Sequence, residues 1–252
     1  MLPDDPAGLA LLLALILVVA LAYSSVGHGG ASGYLAVLSF FGFAPAVMAP
    51  GALVLNLLVA GLSFLSYFRA GHFSFKLLWP FLVTSLPCAF LGGRLEVPPR
   101  AYFLLLGGAL LFAAGRLLLT ASASAQEPLL RPPPLPVALP LGAGIGLVSG
   151  IVGVGGGIFL SPLMMLLGWA DAKRTAAVSA AFIWLNSAAG LYGQLERNPV
   201  DWSALLWLVG AAFAGGVVGS WLGAEKFQSV WLRRILGGVL LLATVKILRS
   251  AL

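Results

Sequence analysis

The sequence predicts an all-α integral membrane protein built from two homologous repeats of four to five apolar segments each. The first observation is composition: the 252 residues are 60% hydrophobic and 9% charged, with a mean hydropathy of +1.04. A soluble domain carries about 25% charged residues. The second observation is that glycine runs interrupt the apolar segments at matching positions in the two halves of the chain. At about 20 residues per span, the chain has room for about eight to ten segments.

The apolar segments form two groups of five. They cover about residues 8–26, 32–43, 46–68, 75–93 and 101–119 in the first half, and 136–152, 157–169, 175–195, 202–222 and 231–250 in the second. The Ser/Ala-rich and then Pro-rich stretch between the groups has the composition of a surface linker. We therefore expect a first membrane repeat over residues 1–119, a linker over 120–135 and a second membrane repeat over 136–252.

The two halves share glycines and asparagines in the same order. The matched pairs are Gly27 with Gly153, Gly29 with Gly155, Gly30 with Gly156, Gly42 with Gly168, Asn56 with Asn186, and Gly92 with Gly219. Their offsets stay between 126 and 130 residues, which indicates an internal duplication. Duplicated halves with interrupted segments at matching positions are typical of secondary transporters.

The orientation of the repeats depends on the short segments. Residues 32–43 would form a helix of about 18 Å, too short for a hydrocarbon core of about 30 Å. If these segments do not count as crossings, each half has four spans, the repeats are parallel, and the basic residues divide seven against seven. If they belong to a crossing hairpin, each half has five segments, the repeats are inverted, and the division is nine against five. The positive-inside rule favours the inverted arrangement, with both chain ends outside.

The glycine runs predict broken helices at the interface between the repeats. A break at membrane depth is tolerated only where it is buried in protein or lines a cavity. Helices that restart near Ser32 and Ile158 would present unpaired N–H groups with about half a positive charge. Glycine lets an anion approach such a backbone closely, so the two runs together predict an anion site. The alternative is that these glycines only allow close helix packing.

Polar side chains near the breaks complete the predicted site. His28 stands where the second half has Val154, and it could carry a proton, donate to an oxyanion, or simply bond a backbone carbonyl. Asn56 and Asn186 could donate to an oxyanion or bridge helices. The candidate substrate-binding residues are Ser25, Gly27, His28, Gly29, Gly30, Asn56, Gly153, Gly155, Gly156, Gly157, Ser179 and Asn186.

The charges and cysteines exclude several other functions. All eight acidic residues lie at segment ends or in loops, whereas cation pumps and proton relays place carboxylates inside spans. One cysteine and two histidines predict neither a disulfide nor a metal site. The basic residues are scattered, which argues against nucleic-acid binding. We expect no cofactor and no catalytic residue; the expected partners are a small anion, the lipid bilayer, a coupling proton and a second copy of the chain.

Two other functions stay open at this point. One is a membrane-embedded hydrolase that pairs His28 with Ser25 or Ser32, although no acidic residue is near enough in sequence to orient the histidine. The other is a non-transporting assembly subunit, which would give no reason for duplicated breaks.

The glycine break with Ser161-Pro162 after it, the polar segment from Ser179 to Asn186, Asn56 and the duplicated halves resemble the TauE/SafE sulfite exporter family. The resemblance covers the chain apart from the linker. It implies multi-pass transport of sulfite, sulfoacetate or related organosulfonates across the inner membrane of a bacterium or archaeon. The first half departs from the pattern, because Ala36 stands where the second half has Pro162.

Overall fold

The computed structural model describes residues 2–3, 5–119, 132–197, 202–225 and 240–249, and it is helical. The helices are α1 (Pro6–Ser24), α2 (Ala31–Phe40), α3 (Pro45–Arg69), α4 (Phe75–Arg94), α5 (Pro99–Leu119), α6 (Leu135–Val152), α7 (Gly157–Leu166), α8 (Ala172–Leu195), α9 (Trp202–Glu225) and α10, described over 240–249. Most of the predicted linker, residues 120–131, and the start of the last predicted segment, 231–239, lie outside the described residues.

Length and apolar composition together identify the candidate membrane spans. Within the described ranges, six helices are long and apolar enough to cross a membrane: α1, α3, α4, α6, α8 and α9. Helices α2 and α7 have 10 residues each, about 15 Å, so neither is long enough to cross by itself, and each can cross only as part of a hairpin with its neighbour. The prediction of an all-α, multi-pass membrane protein is confirmed.

Local sequence explains where the long helices begin. The Asp5 carboxylate accepts a hydrogen bond from the Gly8 amide at 2.5 Å, and the Asp171 carboxylate accepts one from the Arg174 amide at 2.8 Å. Both are N-cap bonds that satisfy first-turn donors of α1 and α8. Helix α3 begins instead at Pro45, whose missing N–H costs nothing at the first helical position.

Helices α3 and α8 form the centre of the fold and run antiparallel. The contacts pair Leu53 with Gly190, Asn56 with Ser187, and Phe64 with Trp184. Positions therefore rise along one helix as they fall along the other. Because α3 and α8 are the third helices of the two halves, their opposite directions agree with the predicted inverted repeats, and the repeats themselves stay a prediction.

The two halves interlock through glycine ladders. Helix α6 lies along α4, and α9 lies along α1, so the first helix of each half packs on the fourth helix of the other. A Cβ added at each ladder glycine would overlap a carbonyl oxygen of the facing helix; the pairs are Gly142 with Phe81, Gly146 with Ser85, Gly150 with Ala89, Gly215 with Leu17, Gly219 with Leu21, and Gly223 with Ser25. Glycine at this four-residue spacing lets backbones approach closely.

The two short helices end in the same turn. Gly42 (φ +77°) and Gly168 (φ +65°) follow α2 and α7 in the left-handed region. Their amides donate to the carbonyls of Ser39 and Met165, the tight end that glycine allows. These matched turns and the exchange of helix contacts support the duplication, which stays a prediction.

Candidate functional site

The first break, residues 25–30, separates α1 from α2. Gly27 (φ +73°) and Gly30 (φ +100°) adopt left-handed backbone, and Gly30 is the N-cap residue of α2. A residue with a Cβ pays roughly 1–2 kcal/mol for that conformation. Glycine therefore allows the chain to leave α1 and start α2 within a few residues.

The second break, residues 153–156, separates α6 from α7 in the same way. Gly153 (φ +85°), Gly155 (φ +76°) and Gly156 (φ +82°) are left-handed, and Gly156 is the N-cap residue of α7. The helices restart at Ala31 and Gly157, one residue before each predicted restart.

Each break packs on the long helix of the other half. A Cβ added at Gly27 would lie 2.7 Å from the Ala176 Cα on α8, and one added at Gly153 would lie 2.8 Å from the Ala49 Cα on α3. These distances leave no room for a side chain. The packing role considered for the glycines is therefore real at these two positions.

A single amide, that of Asn56 on α3, joins the two breaks. Its Oδ1 accepts a hydrogen bond from the Ala31 N–H at 3.0 Å, which is the first N–H of α2. Its Nδ2 donates to the Val154 carbonyl at 3.2 Å and to Ser187 Oγ at 3.4 Å. Asn56 is fully buried, so all these bonds form away from water, where unpaired polar groups are costly.

Gly29 of the first break and Gly155 of the second lie directly against this amide. A Cβ at Gly29 would overlap Asn56 Oδ1, and a Cβ at Gly155 would overlap Asn56 Nδ2. Both glycines also face Ile183 Cγ2 on α8, at 3.2 and 3.0 Å from the added Cβ. Asn56 and Ile183 are thus held between two glycines, one from each break.

A small cavity of about 10 Å³ lies at this point. It is lined by Tyr23, His28, Gly29, Gly30, Ala31, Ser32, Asn56, Val154, Ile158 and Ile183. Such a volume suits about one water molecule. The described conformation therefore does not admit a larger anion until α2, α7 or their neighbours move.

His28 connects the first break to α7. Its Nδ1 lies 2.9 Å from the Val26 carbonyl, and its Nε2 lies 2.9 Å from Ser161 Oγ. Ser161 Oγ also lies 2.8 Å from the Gly157 carbonyl and 2.8 Å from Ser179 Oγ. A carbonyl only accepts, so Nδ1 carries a hydrogen.

The network of His28 and Ser161 accommodates two charge states. In the neutral imidazole, Nε2 accepts the Ser161 proton, and Ser179 can donate to Ser161. In the imidazolium, Nε2–H donates to Ser161 Oγ, whose own proton turns to the Gly157 carbonyl. In either state the bonds to Val26 and Ser161 join a donor to an acceptor, so both bonds are compatible with a neutral or a protonated His28.

The remaining predicted residues are less central. Ser25 Oγ donates to the Ala22 carbonyl of its own helix at 2.7 Å. Asn186 Nδ2 donates to the Phe182 carbonyl of its own helix at 2.9 Å, so it does not repeat the bridging role of Asn56. Ile183, three residues before Asn186 on α8, lies with Asn56 between the two glycines.

Sequence reasoning missed several polar residues at the site. Ser161 and Ser187 bond His28 and Asn56, and Tyr23 OH pairs with Ser32 Oγ at 2.8 Å. Tyr34, on the first turn of α2, lies against Gly30. The available signal was spacing: Ser161 follows Gly157 by four residues, and Tyr34 follows Gly30 by four, which is one turn beyond each break.

The site is polar but carries no fixed charge among the described residues that line it. The described ion pairs lie at helix ends, as Arg94 with Glu196 at 2.7 Å and Arg174 with Asp171 at 3.5 Å. The described residues contain no group of three histidine, cysteine or acidic side chains that could hold a metal ion. Helices α2 and α7 begin beside the cavity, and a helix N-terminus carries a partial positive charge.

The hydrolase alternative does not fit this geometry. His28 bonds Ser161, whereas Ser25 bonds the Ala22 carbonyl and Ser32 pairs with Tyr23. Neither predicted nucleophile is the hydrogen-bond partner of His28 Nε2, which nucleophilic catalysis would require.

Comparisons with known proteins agree with one another. Residues 12–247 match the family model described as "Sulfite exporter TauE/SafE". The probable membrane transporter protein y4hK of Sinorhizobium fredii is 37% identical over 240 residues, covering 92% of this chain and 94% of the relative. The probable membrane transporter protein YunE of Bacillus subtilis is 34% identical over 98 residues, covering 39% of this chain and 36% of the relative. No solved structure matches.

Proposed function

This chain belongs to the sulfite exporter TauE/SafE family of membrane transporters, and we propose that it carries small sulfur-containing anions by alternating access. The proposed substrates are sulfite, sulfoacetate or related organosulfonates. The anion would be held where the N-termini of α2 and α7 meet. The proposed contacts are the predicted residues around the two breaks, with Asn56 at their centre.

The bridging amide of Asn56 is the observation that carries this proposal. The amide bonds the Ala31 N–H, which is the first of α2, and the Val154 carbonyl, which lies within the second break. An oxyanion is a better partner than a neutral amide oxygen for a helix N-terminus, because charge-assisted hydrogen bonds are about twice as strong. Binding of an anion at Ala31 would therefore compete with Asn56 Oδ1.

The antiparallel α3 and α8 supply a route to alternating access. Helix α2 runs from the cavity along α3, while α7 runs from the cavity along α8. Since α3 and α8 point in opposite directions, α2 and α7 lead towards opposite sides of the membrane. Movement of one short helix would open the cavity to one side, as inverted-repeat transporters do around a fixed site.

We further propose that a proton accompanies the anion and that His28 carries it. The side chain is nearly fully buried and keeps donor–acceptor pairs in both charge states through Val26 and Ser161. A protonated His28 beside the cavity would also add positive charge where the anion binds. Buried ionisable groups in membrane proteins commonly mark such proton paths.

The test is binding and flux measured on the purified protein. Sulfite, sulfate, sulfoacetate, taurine and thiosulfate are screened for an increase in melting temperature, since a ligand that binds the folded state alone stabilises it. Compounds that raise it are then followed across vesicles containing the protein, with protein-free vesicles and chloride as controls. A specific sulfur anion should both stabilise and move. Flux no faster than in protein-free vesicles would contradict the proposal.

Assembly as a homodimer remains a separate prediction. Light scattering of the detergent-solubilised protein gives the mass of the assembly, for comparison with the 26.1 kDa of one chain.

A further inference from the structure

Tyr34 on α2 buries a hydroxyl group without a hydrogen-bond partner. Among the described residues, five buried side chains contain a polar atom without a hydrogen-bond partner. Four are hydroxyls, those of Tyr34, Ser63, Ser85 and Ser149, and the fifth is the amide oxygen of Asn186. Tyr34 is fully buried and packs in the main core cluster. A phenylalanine would provide the same ring without the cost of removing a hydroxyl from water. Such an exception in a protein interior requires a reason.

The position of this hydroxyl supplies the reason. The Tyr34 Oη lies 3.0 Å from where a Cβ of Gly30 would be, and Gly30 is the N-cap residue of α2. Gly30 and the next two residues line the cavity. The hydroxyl therefore lies beside the first turn of α2, where the backbone N–H groups are also donors.

The other unpartnered hydroxyls are placed differently. Ser85 lies on α4 against Gly146, in the glycine ladder with α6. Ser63 lies on α3, seven residues beyond Asn56, whereas Tyr34, which is not itself a lining residue, lies against the lining residue Gly30. In the second half, the position that corresponds to Tyr34 at an offset of 126 residues is Leu160, which is buried in a hydrophobic cluster. Ser149 is an unpartnered hydroxyl beside the second break, with its Cβ 3.6 Å from where a Cβ of Gly156 would be. A buried phenol against the N-cap glycine is therefore a feature of the first break, whereas the second break has only a serine.

We propose that the Tyr34 hydroxyl is a substrate-binding donor, which contacts an oxygen of the anion bound at the N-terminus of α2. This inference rests on the proposed anion transport and adds a residue to it. The hydroxyl has no partner in the closed conformation because its partner is the substrate. Its contribution is selective for oxyanions, because it donates a hydrogen bond to an oxygen and carries no charge that would attract any anion.

The experiment compares Tyr34→Phe with Tyr102→Phe, the same chemical change at a phenol that has a partner. Tyr102 OH donates to the Val152 carbonyl at 3.2 Å. Both variants are purified, and their melting temperatures are measured without ligand and with increasing sulfite, sulfate and sulfoacetate. In Tyr34→Phe we expect an unchanged or higher melting temperature without ligand and about tenfold to hundredfold weaker binding, as for one hydrogen bond to a charged group.

Tyr102→Phe should show the opposite pattern, with a lower melting temperature and unchanged affinity. Ser85→Ala adds a second control, because it removes an unpartnered hydroxyl from the glycine ladder between α4 and α6 and should leave affinity unchanged. If Tyr34→Phe binds the anion as tightly as the unmodified protein, or melts at a lower temperature without ligand, the role of Tyr34 is wrong while anion transport stands. If the unmodified protein binds none of the three anions, the proposed function fails first.

Discussion

The two breaks share a backbone and differ in chemistry. Both contain left-handed glycines, both end in a glycine N-cap, and both pack against an alanine of the opposite long helix, Ala176 or Ala49. At the equivalent positions, however, the first break has His28 where the second has Val154. The shared glycines make the turn, and the side chains that differ give each turn its chemistry.

The difference concentrates polar groups on one side of the cavity. Tyr23, His28 and Ser32 belong to the first half, whereas Val154 and Ile158 are the side chains that the second break and α7 bring to the cavity lining. Asn56, also of the first half, bonds both breaks. The polar side chains proposed to contact the anion therefore come mainly from the first half.

The largest expected effect comes from adding a methyl group to each side of the Asn56 amide. Gly29→Ala and Gly155→Ala would both overlap Asn56, which costs roughly 1–3 kcal/mol as overpacking. Gly155 has φ +76°, so its substitution adds roughly 1–2 kcal/mol of backbone strain. We expect Gly155→Ala to lower the melting temperature more than Gly29→Ala and both to reduce anion flux at least tenfold.

Gly144→Ala on α6 is the matched control. A Cβ at Gly144 would meet no atom within 4 Å, and alanine is the better helix residue by roughly 1 kcal/mol. This variant should transport normally and melt at the same or a higher temperature. Equal melting temperatures for Gly29→Ala and Gly155→Ala would show that the left-handed backbone of the second break is not required.

The next effect separates the two asparagines that the sequence matched. Asn56→Ala leaves the Ala31 N–H and the Val154 carbonyl without their partner, at roughly 1–3 kcal/mol for each unsatisfied group. Asn186→Ala removes one bond within α8 and one buried oxygen that has no partner among the described residues. We expect Asn56→Ala to lose most of its flux and several degrees of melting temperature, and Asn186→Ala to lose little of either. If the two variants lost similar amounts of flux and melting temperature, Asn56 and Asn186 would have equivalent roles in the two halves.

These asparagines also show how far the sequence could predict the site. Periodic apolar segments and glycine runs predict helices and breaks, because helix propensity and backbone conformation are local properties. The restarts of α2 and α7 fall within one residue of expectation for that reason. The bridge from Asn56 to both breaks was not predictable, since it depends on how α3 and α8 cross. Tyr34 was missed because an aromatic residue in an apolar helix gives no sign that its hydroxyl lacks a partner.

The smallest effect on stability, and the sharpest on mechanism, is expected from His28→Gln. Glutamine can keep a hydrogen bond near Ser161 but does not titrate, so the variant should fold and still equilibrate the anion across vesicles. In the unmodified protein, an imposed pH difference should accumulate the anion against its concentration gradient. The reason is that His28 binds a proton on the acidic side of the membrane and releases it on the other side. Tyr23 is the other titratable side chain that lines the cavity, and its hydroxyl is hydrogen-bonded with Ser32.

Ser161→Ala is the control for this prediction. It keeps the histidine and should retain the pH-driven accumulation at a reduced rate. Accumulation that persists in His28→Gln would assign the proton to another group and leave the first break distinguished by anion contacts alone.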